Sequence, residues 1–325
     1  MDEYDRHSSP PPPPPPLVVM TLPLGHVLPG QLQVTGVLGQ GAYATVYRAH
    51  HAPSQCDYAV KLLSTRSFHP DDELRLHARL HHPHIVRLER VIELPAAPSH
   101  PANATAVVLE YLPQDLFSAI TSPSAPLYPP DLPHRNAKIR HVFLQLCHAV
   151  AHCHARHVYH RDLKPENILV AHNGWCLKLA DFGLATARPR SADFACGSPF
   201  YMSPECAAPS SSSYASAPND IWALGVILVN LIAARNPWTR AHPSDPTYAA
   251  FRAAPARFLP SILPVSPAAN ALLLRIFHPD PARRITLPAL IAAVRVCPRF
   301  DADPSPSPSP SPSLHAVDPP VDAPP

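Results

Sequence analysis

The first third of the chain alternates hydrophobic and polar positions, which is the pattern of half-buried β-strands. Leu32 and Val34 alternate with polar neighbours, and short runs of β-branched and aromatic residues follow. The predicted strands are 32–34, 45–47, 58–60, 85–94 and 106–111. One short helix is predicted over 71–80, stopping before Pro83. The Ala/Pro/Ser-rich stretch 95–105 is typical of a surface loop.

After Tyr111 the pattern becomes helical. Apolar residues recur at steps of three and four, which marks one buried helix face. These residues are Ile139, Val142, Phe143, Leu146, Cys147 and Val150. The run 221–234 is apolar on nearly all sides, and it is too short for a membrane span, which needs ~20 residues. It therefore predicts a central buried helix, and further helices are predicted near 268–277 and 287–296.

A small β-rich part followed by a larger helical part predicts two lobes with a ligand-binding cleft between them. The folded region is predicted to cover 29–298, with the first lobe at 29–112 and the second at 113–298. Residues 1–28, which include an unbroken proline tract at 10–16, and residues 299–325 are predicted to be disordered tails. Neither segment has enough apolar surface to offset its ordering entropy.

Composition narrows the classes of protein. Hydrophobic residues make up 46% of the chain, enough for a sizeable core, while the net charge is only +2 and no dense Lys/Arg run occurs. We therefore expect no nucleic-acid partner. The N-terminus lacks a basic stretch followed by an apolar one, so neither a secretory signal nor membrane attachment is expected. Seven scattered cysteines are typical of a reduced intracellular chain, and we expect a monomer in the cytoplasm, the nucleus or both.

Two constellations in the first lobe suit phosphate binding. The segment 39–46, GQGAYATV, is a Gly-rich turn between strands, and its small residues let backbone amides approach phosphate oxygens. Lys61 follows on a strand and Glu73 on the next helix. A Gly-rich turn alone is a weak signal, and a lone strand lysine is usually a solvated edge residue. The order of turn, lysine and glutamate favours a phosphate-binding function.

Two further motifs lie in the helical part. The segment 160–167, HRDLKPEN, places Asp162, Lys164 and Asn167 within one loop. Asp181 begins the sequence DFG fourteen residues after Asn167. Asn and Asp side chains supply the hard oxygen ligands that magnesium prefers. Eight residues in register are hard to explain as a chance charged loop.

In this order the four motifs resemble the signature of eukaryotic protein kinases. The resemblance covers almost the whole folded region and implies an α+β, two-lobed kinase fold with a small β-rich N-lobe and a larger helical C-lobe. It implies transfer of the γ-phosphate of ATP, with Mg²⁺, to Ser or Thr hydroxyls of protein substrates. The lysine at position 164 resembles the residue that serine/threonine kinases carry there, whereas tyrosine kinases carry a different residue set. Strings such as LKLADFGLATA and PNDIWALGVILVNLIAARNPW resemble fungal kinases that control meiosis entry and nutrient responses.

The resemblance also implies roles for individual residues. Asp162 corresponds to the catalytic base, Lys164 to a group that stabilises the transferring phosphoryl, and Lys61, oriented by Glu73, to the phosphate-binding lysine. The implied magnesium ligands are Asn167 and Asp181. The implied nucleotide-binding residues are Leu38, Gly39, Gln40, Gly41, Ala42, Val46, Ala59, Lys61, Glu110, Leu112, Asp115 and Leu169.

Two other functions were weighed. A pseudokinase scaffold is favoured by Ala44, which stands where the family has a third glycine, and by the short link of 12 positions between Lys61 and Glu73. A small-molecule phosphotransferase fits poorly, because the long segment 184–202 is typical of a protein-substrate platform. We favour the active kinase, since Lys61, Asp162, Asn167 and Asp181 are all present.

Several contacts are expected from the resemblance. Glu205 should pair with Arg284, and Asp220 should brace the backbone of the catalytic loop. Asp193 should pair with Arg161 in place of the phosphate that many kinases carry near this position. Activity without phosphorylation there is therefore expected.

Further expectations concern shape and specificity. A ring and side-chain stack is expected from His77, Leu88, His160 and Phe182. The short connector at 64–69 should keep Lys61 and Glu73 paired without nucleotide. Asp115 and Glu166 should favour basic residues N-terminal to the acceptor, although Asp115 could instead contact the ATP ribose. Histidines near 152–157 could suggest zinc, but their spacing favours a structural role.

Overall fold

The computed structural model describes residues 21–41, 44–64, 70–96, 103–122, 134–208 and 212–302. The proline tract at 10–16 and the Ser/Pro-rich segment from 303 onwards lie outside the described residues. So does Ala42, one of the implied nucleotide-binding residues.

The N-terminal lobe is built on a six-stranded antiparallel sheet with the order β1-β2-β3-β4-β6-β5. Its strands are β1 (Val27–Leu28), β2 (Leu32–Gln40), β3 (Ala44–His51), β4 (Cys56–Ser64), β5 (Leu88–Leu94) and β6 (Ala104–Glu110). In β3, Thr45, Tyr47 and Ala49 are buried in alternation with less buried neighbours. Period-two burial of this kind fixes which face packs on the core. The predicted strands are all present, and β2, β3 and β4 run longer than predicted. Strand β5 begins three residues later than predicted, and β6 begins at Ala104, inside the predicted loop 95–105.

The short helix of this lobe, α1 (Pro70–His77), crosses from the sheet toward the cleft. It ends three residues before the predicted limit of 80. Beyond His77 the amides of Arg79 and Leu80 bond carbonyls three residues back, at Leu76 and His77. Such tight last turns satisfy carbonyls that the helix leaves unpaired at its end.

The C-terminal lobe is helical. Its helices are α2 (Leu116–Thr121), α3 (Arg135–His154), α4 (Pro204–Ala207), α5 (Ser216–Ala233), α6 (Pro246–Ala253), α7 (Pro255–Ile262), α8 (Pro267–Ile276) and α9 (Leu287–Val296). The predicted central helix is α5, and α3 carries the predicted apolar face. By length and composition α5 could cross a membrane, but 83% of it is buried inside the protein. It packs so closely on α8 that a Cβ on Gly225 would lie 2.4 Å from Ile276.

The packed structure extends past both predicted ends of the folded region, 29 and 298. Leu22 and Leu28 are buried in the core of the N-terminal lobe, and Phe300 is fully buried in the core of the C-terminal lobe. Asp301 also pairs with Arg135, with 3.1 Å between the carboxylate and the guanidinium. A single apolar residue outside a periodic run cannot be recognised as buried from the sequence. The predicted limits of the folded region are therefore too narrow.

A small three-stranded sheet joins the lobes beside the cleft. Strands β7 (Gln114–Asp115), β8 (Ile168–Ala171) and β9 (Cys176–Leu179) form a three-stranded sheet in the order β7-β8-β9. Leu179 also bridges the N-terminal lobe, because its amide donates to His84 at 2.9 Å and its carbonyl accepts from Val86 at 2.9 Å. Strand β9 therefore delivers Asp181 to the floor of the cleft from a point fixed to both lobes.

Candidate active site

Lys61 lies at the centre of a charge cluster in the cleft. Its ammonium is 2.6 Å from a Glu73 carboxylate oxygen and 2.8 Å from Oδ1 of Asp181. Burial alone would lower the pKa of Lys61, but the two carboxylates raise it above its ordinary value, so the side chain is cationic. Partial desolvation by the surrounding cleft favours neutral Asp181, yet the adjacent ammonium lowers its pKa to about 2. The predicted pair between Lys61 and Glu73 is thus formed.

Asp162 lies in a second cluster, which is joined by a hydrogen bond to Asn167 in the lining of the same cleft. Its Oδ1 accepts hydrogen bonds from the amide and hydroxyl of Ser198, at 2.9 and 2.8 Å. Its Oδ2 accepts from the ammonium of Lys164 at 2.8 Å and from the Asn167 side-chain amide at 3.2 Å. The Lys164 ammonium also reaches the Ser198 hydroxyl at 3.0 Å. A carboxylate, an ammonium and a hydroxyl are therefore held at one point.

The loop that carries Asp162 is held from below by a buried carboxylate. Asp220, on α5, accepts from the backbone amides of His160 and Arg161 at 2.9 and 2.8 Å. His154 adds a third contact, with Nε2 2.8 Å from the same carboxylate. The predicted brace by Asp220 is confirmed, and His154 has a structural contact. Arg161 adopts a left-handed backbone, φ 66°, which the brace stabilises.

A cavity of about 300 Å³ opens between the lobes above these two clusters. Nine of the implied nucleotide-binding residues line it, namely Leu38, Gly39, Val46, Ala59, Lys61, Glu110, Leu112, Asp115 and Leu169. Among the described residues, Gln40 and Gly41 do not line this cavity, so their contact with nucleotide stays a prediction. Most of the implied nucleotide-binding residues line the cavity because the strands β2, β4 and β6 present side chains to the same cleft.

The inner wall of the cavity was missed by sequence reasoning. It contains Leu74, His77, Val86, Val107 and Leu109. Val107 and Leu109 could have been found, because they alternate along β6 in the same phase. Val86 could not, since it follows an irregular turn whose direction no periodicity reveals.

His77 closes the inner end of the cavity. Its Nε2 donates to the carbonyl of Val86 at 2.8 Å, which identifies Nε2 as the protonated nitrogen. Its ring lies 4.7 Å from the ring of Phe182, which in turn lies 5.1 Å from the ring of His160. Burial lowers the pKa of His77 to about 4, so the imidazole is neutral, as predicted. The three rings stack as expected, while Leu88 is half-buried at the start of β5.

The segment after Asp181 is tied to the catalytic loop by an ion pair. The guanidinium of Arg161 lies 2.7 Å from Oδ2 of Asp193 and 2.9 Å from the hydroxyl of Ser191. The Ser191 hydroxyl also donates to Asp193 at 3.1 Å. The hydrogen bond from Arg161 lowers the pKa of Asp193, so its carboxylate is charged at neutral pH. The predicted Asp193–Arg161 pair is confirmed.

The close approach of the next residues is possible only at a glycine. Gly197 has φ 100°, and a Cβ at this position would lie 2.5 Å from the carbonyl of Arg161. This contact brings Ser198 against Asp162. Further along, Glu205 forms a two-point pair with Arg284, with N···O distances of 2.6 and 3.0 Å, as predicted.

The residues implied as magnesium ligands fit a metal ion. The amide nitrogen of Asn167 is used by Asp162, which leaves its side-chain oxygen as the atom suited to a cation. The Asp181 carboxylate is charged and 46% exposed, and both residues line the same cavity. Two hard oxygen donors that line one cavity are typical of magnesium held jointly by protein and nucleotide.

Asp115 has a structural contact that the sequence did not predict. As the N-cap of α2 it accepts from the Ser118 amide and hydroxyl, each at 2.8 Å. It still lines the cavity, next to the exposed Glu166. Its carboxylate is therefore fixed in position at the mouth of the cleft.

A β-rich lobe over a helical lobe, with a paired lysine above an aspartate-centred loop, defines the protein kinase fold. Residues 32–294 match the protein kinase domain family, and the chain belongs to that family. The predicted α+β, two-lobed kinase fold is confirmed. Members of this family generally use ATP and Mg²⁺.

Named relatives agree with the predicted resemblance to fungal kinases. The "Negative regulator of sexual conjugation and meiosis" of Schizosaccharomyces pombe is 44% identical over 305 residues, covering 85% of this chain and 62% of that protein. "Serine/threonine-protein kinase SKS1" of Saccharomyces cerevisiae is 34% identical over 227 residues, 66% of this chain and 42% of that protein. "CBL-interacting protein kinase 12" of Oryza sativa subsp. japonica is 36% identical over 230 residues, 66% of this chain and 38% of that protein. The chain thus spans less than two thirds of each relative's length.

Proposed function

We propose that this chain is a serine/threonine protein kinase, which transfers the γ-phosphate of ATP to Ser or Thr hydroxyls of protein substrates. The observation that carries the proposal is the position of Asp162. Its carboxylate contacts Lys164, Ser198 and Asn167, and Asn167 lines the cleft that also holds the Lys61–Glu73–Asp181 cluster. The relatives named as serine/threonine kinases support the acceptor class.

The phosphates of ATP would bind under β2 and β3, with Lys61 donating to the phosphate oxygens. Glu73 keeps the Lys61 ammonium in place, so its position costs little reorganisation when nucleotide enters. Asn167 and Asp181 would hold magnesium, which neutralises phosphate charge when it is bound. The apolar wall that includes Ala59, Val107 and Leu169 suits the flat adenine ring of ATP.

Transfer requires the acceptor hydroxyl to meet the γ-phosphorus in line with the leaving oxygen. Asp162 orients the hydroxyl and accepts its proton as the new P–O bond forms. The bond between the γ-phosphorus and the β–γ bridging oxygen breaks, and ADP leaves with that electron pair. Lys164, 2.8 Å from Asp162, is close enough to stabilise the negative charge on the transferring group.

The test compares carboxylate-to-amide variants. Asp162→Asn removes the proton acceptor while keeping the shape of the side chain, so we expect turnover to fall by about 10²–10⁴-fold with ATP binding retained. Lys61→Met should also abolish most transfer. Glu93→Gln, at an exposed position on β5, is the matched control and should leave turnover unchanged.

The measurements are phosphate incorporation into protein and peptide substrates, and binding of ATP by calorimetry. Wild-type turnover in Asp162→Asn would show that the assigned base is wrong. ATP binding without any turnover in the wild-type chain would instead support a pseudokinase.

Substrate preference and location are further proposals. Asp115 and the exposed Glu166 place two carboxylates at the mouth of the cleft, which supports a preference for basic residues N-terminal to the acceptor. We also propose a monomer that acts in the cytoplasm, the nucleus or both, without nucleic-acid or membrane partners.

A further inference from the structure

A second large concavity lies on the C-terminal lobe, away from the cleft. It has a volume of about 580 Å³ and is bounded by strands β10 (Arg190–Ser191) and β11 (Tyr214–Ala215) and by helices α4 and α6. We call it the arginine groove, after Arg190 and Arg252, which both line it and are exposed. No step of the proposed reaction uses these two residues.

The groove carries net positive charge. Its lining contains one carboxylate, Glu205, which is neutralised by its two-point pair with buried Arg284 behind the wall. Burial raises the pKa of the two lining phenols, Tyr214 and Tyr248, so both are neutral. Among the lining residues, the charges of Arg190 and Arg252 are therefore not cancelled by a carboxylate of the groove.

Arg190 is already fixed in position. Its Nε donates to the hydroxyl of Ser213 at 3.0 Å, and its terminal nitrogen donates to the Ser213 carbonyl at 2.7 Å. Both partners are neutral, so these bonds orient the guanidinium without cancelling its charge. An oriented guanidinium loses little entropy when it binds an anion.

The rest of the groove lining is mostly apolar. The small and cyclic side chains that form it are Pro204, Ala208, Ala215, Ala241, Pro243, Ala249, Pro279 and Pro281. Side chains of this kind leave room for an extended peptide backbone rather than a deep pocket for one large group. The chemistry thus suits a peptide segment with acidic side chains on it.

The wall of the groove begins a few residues after the contact between Ser198 and Asp162. Ser198 touches Asp162, and Pro204 and Glu205 form part of the groove wall only six and seven positions later. Seven residues span at most about 25 Å when fully extended. A substrate whose acceptor hydroxyl lies at Asp162 can therefore reach the groove with about eight further residues.

We infer that the arginine groove binds an acidic segment of the protein substrate, C-terminal to the phosphorylated Ser or Thr. The inference rests on the proposed function. The direction follows from the charges on either side of Asp162. The basic N-terminal part of the substrate would face Asp115 and Glu166. The part of the substrate C-terminal to the acceptor would then continue past Ser198 toward Arg190 and Arg252.

The test uses a set of peptides that share one basic N-terminal half and one acceptor serine. One peptide ends after the acceptor, one carries three glutamates about four to eight residues beyond it, and one carries glutamines there instead. A fourth carries phosphoserine, which distinguishes a phosphate ligand from a carboxylate ligand. A fifth carries the glutamates on the N-terminal side.

We expect the C-terminal glutamates to lower KM about tenfold against the glutamine peptide, with kcat unchanged, because the groove contributes binding rather than chemistry. Arg190→Glu/Arg252→Glu should remove this gain and leave kcat/KM for the short peptide within about twofold. Arg252→Glu alone, which keeps the Arg190–Ser213 bonds, should remove part of it. The gain should also shrink at high salt.

The matched control is Arg257→Glu/Arg275→Glu, the same charge change at exposed positions on α7 and α8 that do not line the groove. Equal KM values for the glutamate and glutamine peptides in the wild type would overturn the inference. So would an equal loss in the control variant, or an equal gain from N-terminal glutamates. Fluorescence anisotropy with labelled acidic peptide measures groove binding even if no peptide is phosphorylated, which separates this inference from the proposed function.

Discussion

His77 is one of two imidazoles in the stack of rings around Phe182. Its neutral imidazole is stabilised there by one hydrogen bond, to the carbonyl of Val86. That carbonyl belongs to the loop through which β9 is tied to the N-terminal lobe, since the Val86 amide bonds Leu179. His77 therefore links the last turn of α1 to the joint between the lobes.

Replacing His77 with Leu should keep activity at low temperature but lower stability. The new side chain fills the apolar space, yet it leaves a buried carbonyl without its donor, which costs about 1–3 kcal/mol of unfolding free energy. His77→Gln, whose amide can donate to Val86, should recover part of the loss. Thermal unfolding and phosphate incorporation measure the two effects, and an unchanged melting temperature in His77→Leu would show that the hydrogen bond contributes nothing.

Residues inside the motifs could be placed from the sequence, because each motif fixes both identity and spacing. Glu205 and Arg284 were paired correctly across 79 positions for this reason. The contact between His77 and Val86 could not be predicted, since it depends on the path of an irregular turn. The N-cap bonds of Asp115 were missed as well, because the kinase resemblance implied a substrate or ribose contact for this carboxylate and not a cap.

In the C-terminal lobe, helices with a long apolar run were predicted from that run, and the pattern of apolar residues did not reveal the short ones. Helices α3, α5, α8 and α9 span ten to twenty residues and show a clear buried face. Helices α2, α4, α6 and α7 have four to eight residues, too few turns for a period to appear. Capping carried the missing signal for α6, where Asp245 precedes Pro246 and accepts from the amides of Thr247 and Tyr248.

The segment from β10 to Ser198 should stay ordered without phosphorylation, because Asp193 already pairs with Arg161. We therefore expect phosphatase treatment to leave activity unchanged. Asp193→Ala should lower activity several-fold by releasing Arg161, whereas Asp193→Glu should retain most of it. Phosphate incorporation before and after treatment is the measurement, and loss of activity on dephosphorylation would contradict this account.

Where the loop after α1 meets α3, histidines face each other across the two lobes. The ring of His82 lies 5.0 Å from that of His152 and 5.5 Å from that of His84. The other charged groups that act on His82 are His148 and Arg156, both basic. Burial is the main reason that the pKa of His82 falls to about 4, and repulsion from the basic neighbours adds to it. Burial also lowers the pKa of His152.

This junction should weaken in acid. An unfolded histidine has a pKa of about 6.5, so the unfolded chain takes up protons first as pH falls. The stability that neutral His82 and His152 contribute is present above pH ~6.5 and is lost as pH falls toward about 4. We expect the melting temperature of His82→Asn/His152→Gln to fall less between pH 7 and 5 than that of the wild type.

His172→Asn, at an exposed position with a left-handed backbone that asparagine tolerates, is the control and should keep the wild-type slope. Identical slopes for all three proteins would mean that the histidine junction does not govern acid sensitivity. Carboxylates elsewhere also titrate in this range, so the comparison between variants carries the result.

The negative charge that binds Arg161 belongs to an aspartate of the amino-acid sequence and is not added by phosphorylation. No phosphatase can remove Asp193, and no upstream enzyme is needed to supply it. In a signalling circuit such a protein would act as a constant source and not as a relay, so its output would follow the number of copies in the cell. Control would then fall to transcription, degradation, a bound inhibitor or the supply of substrate.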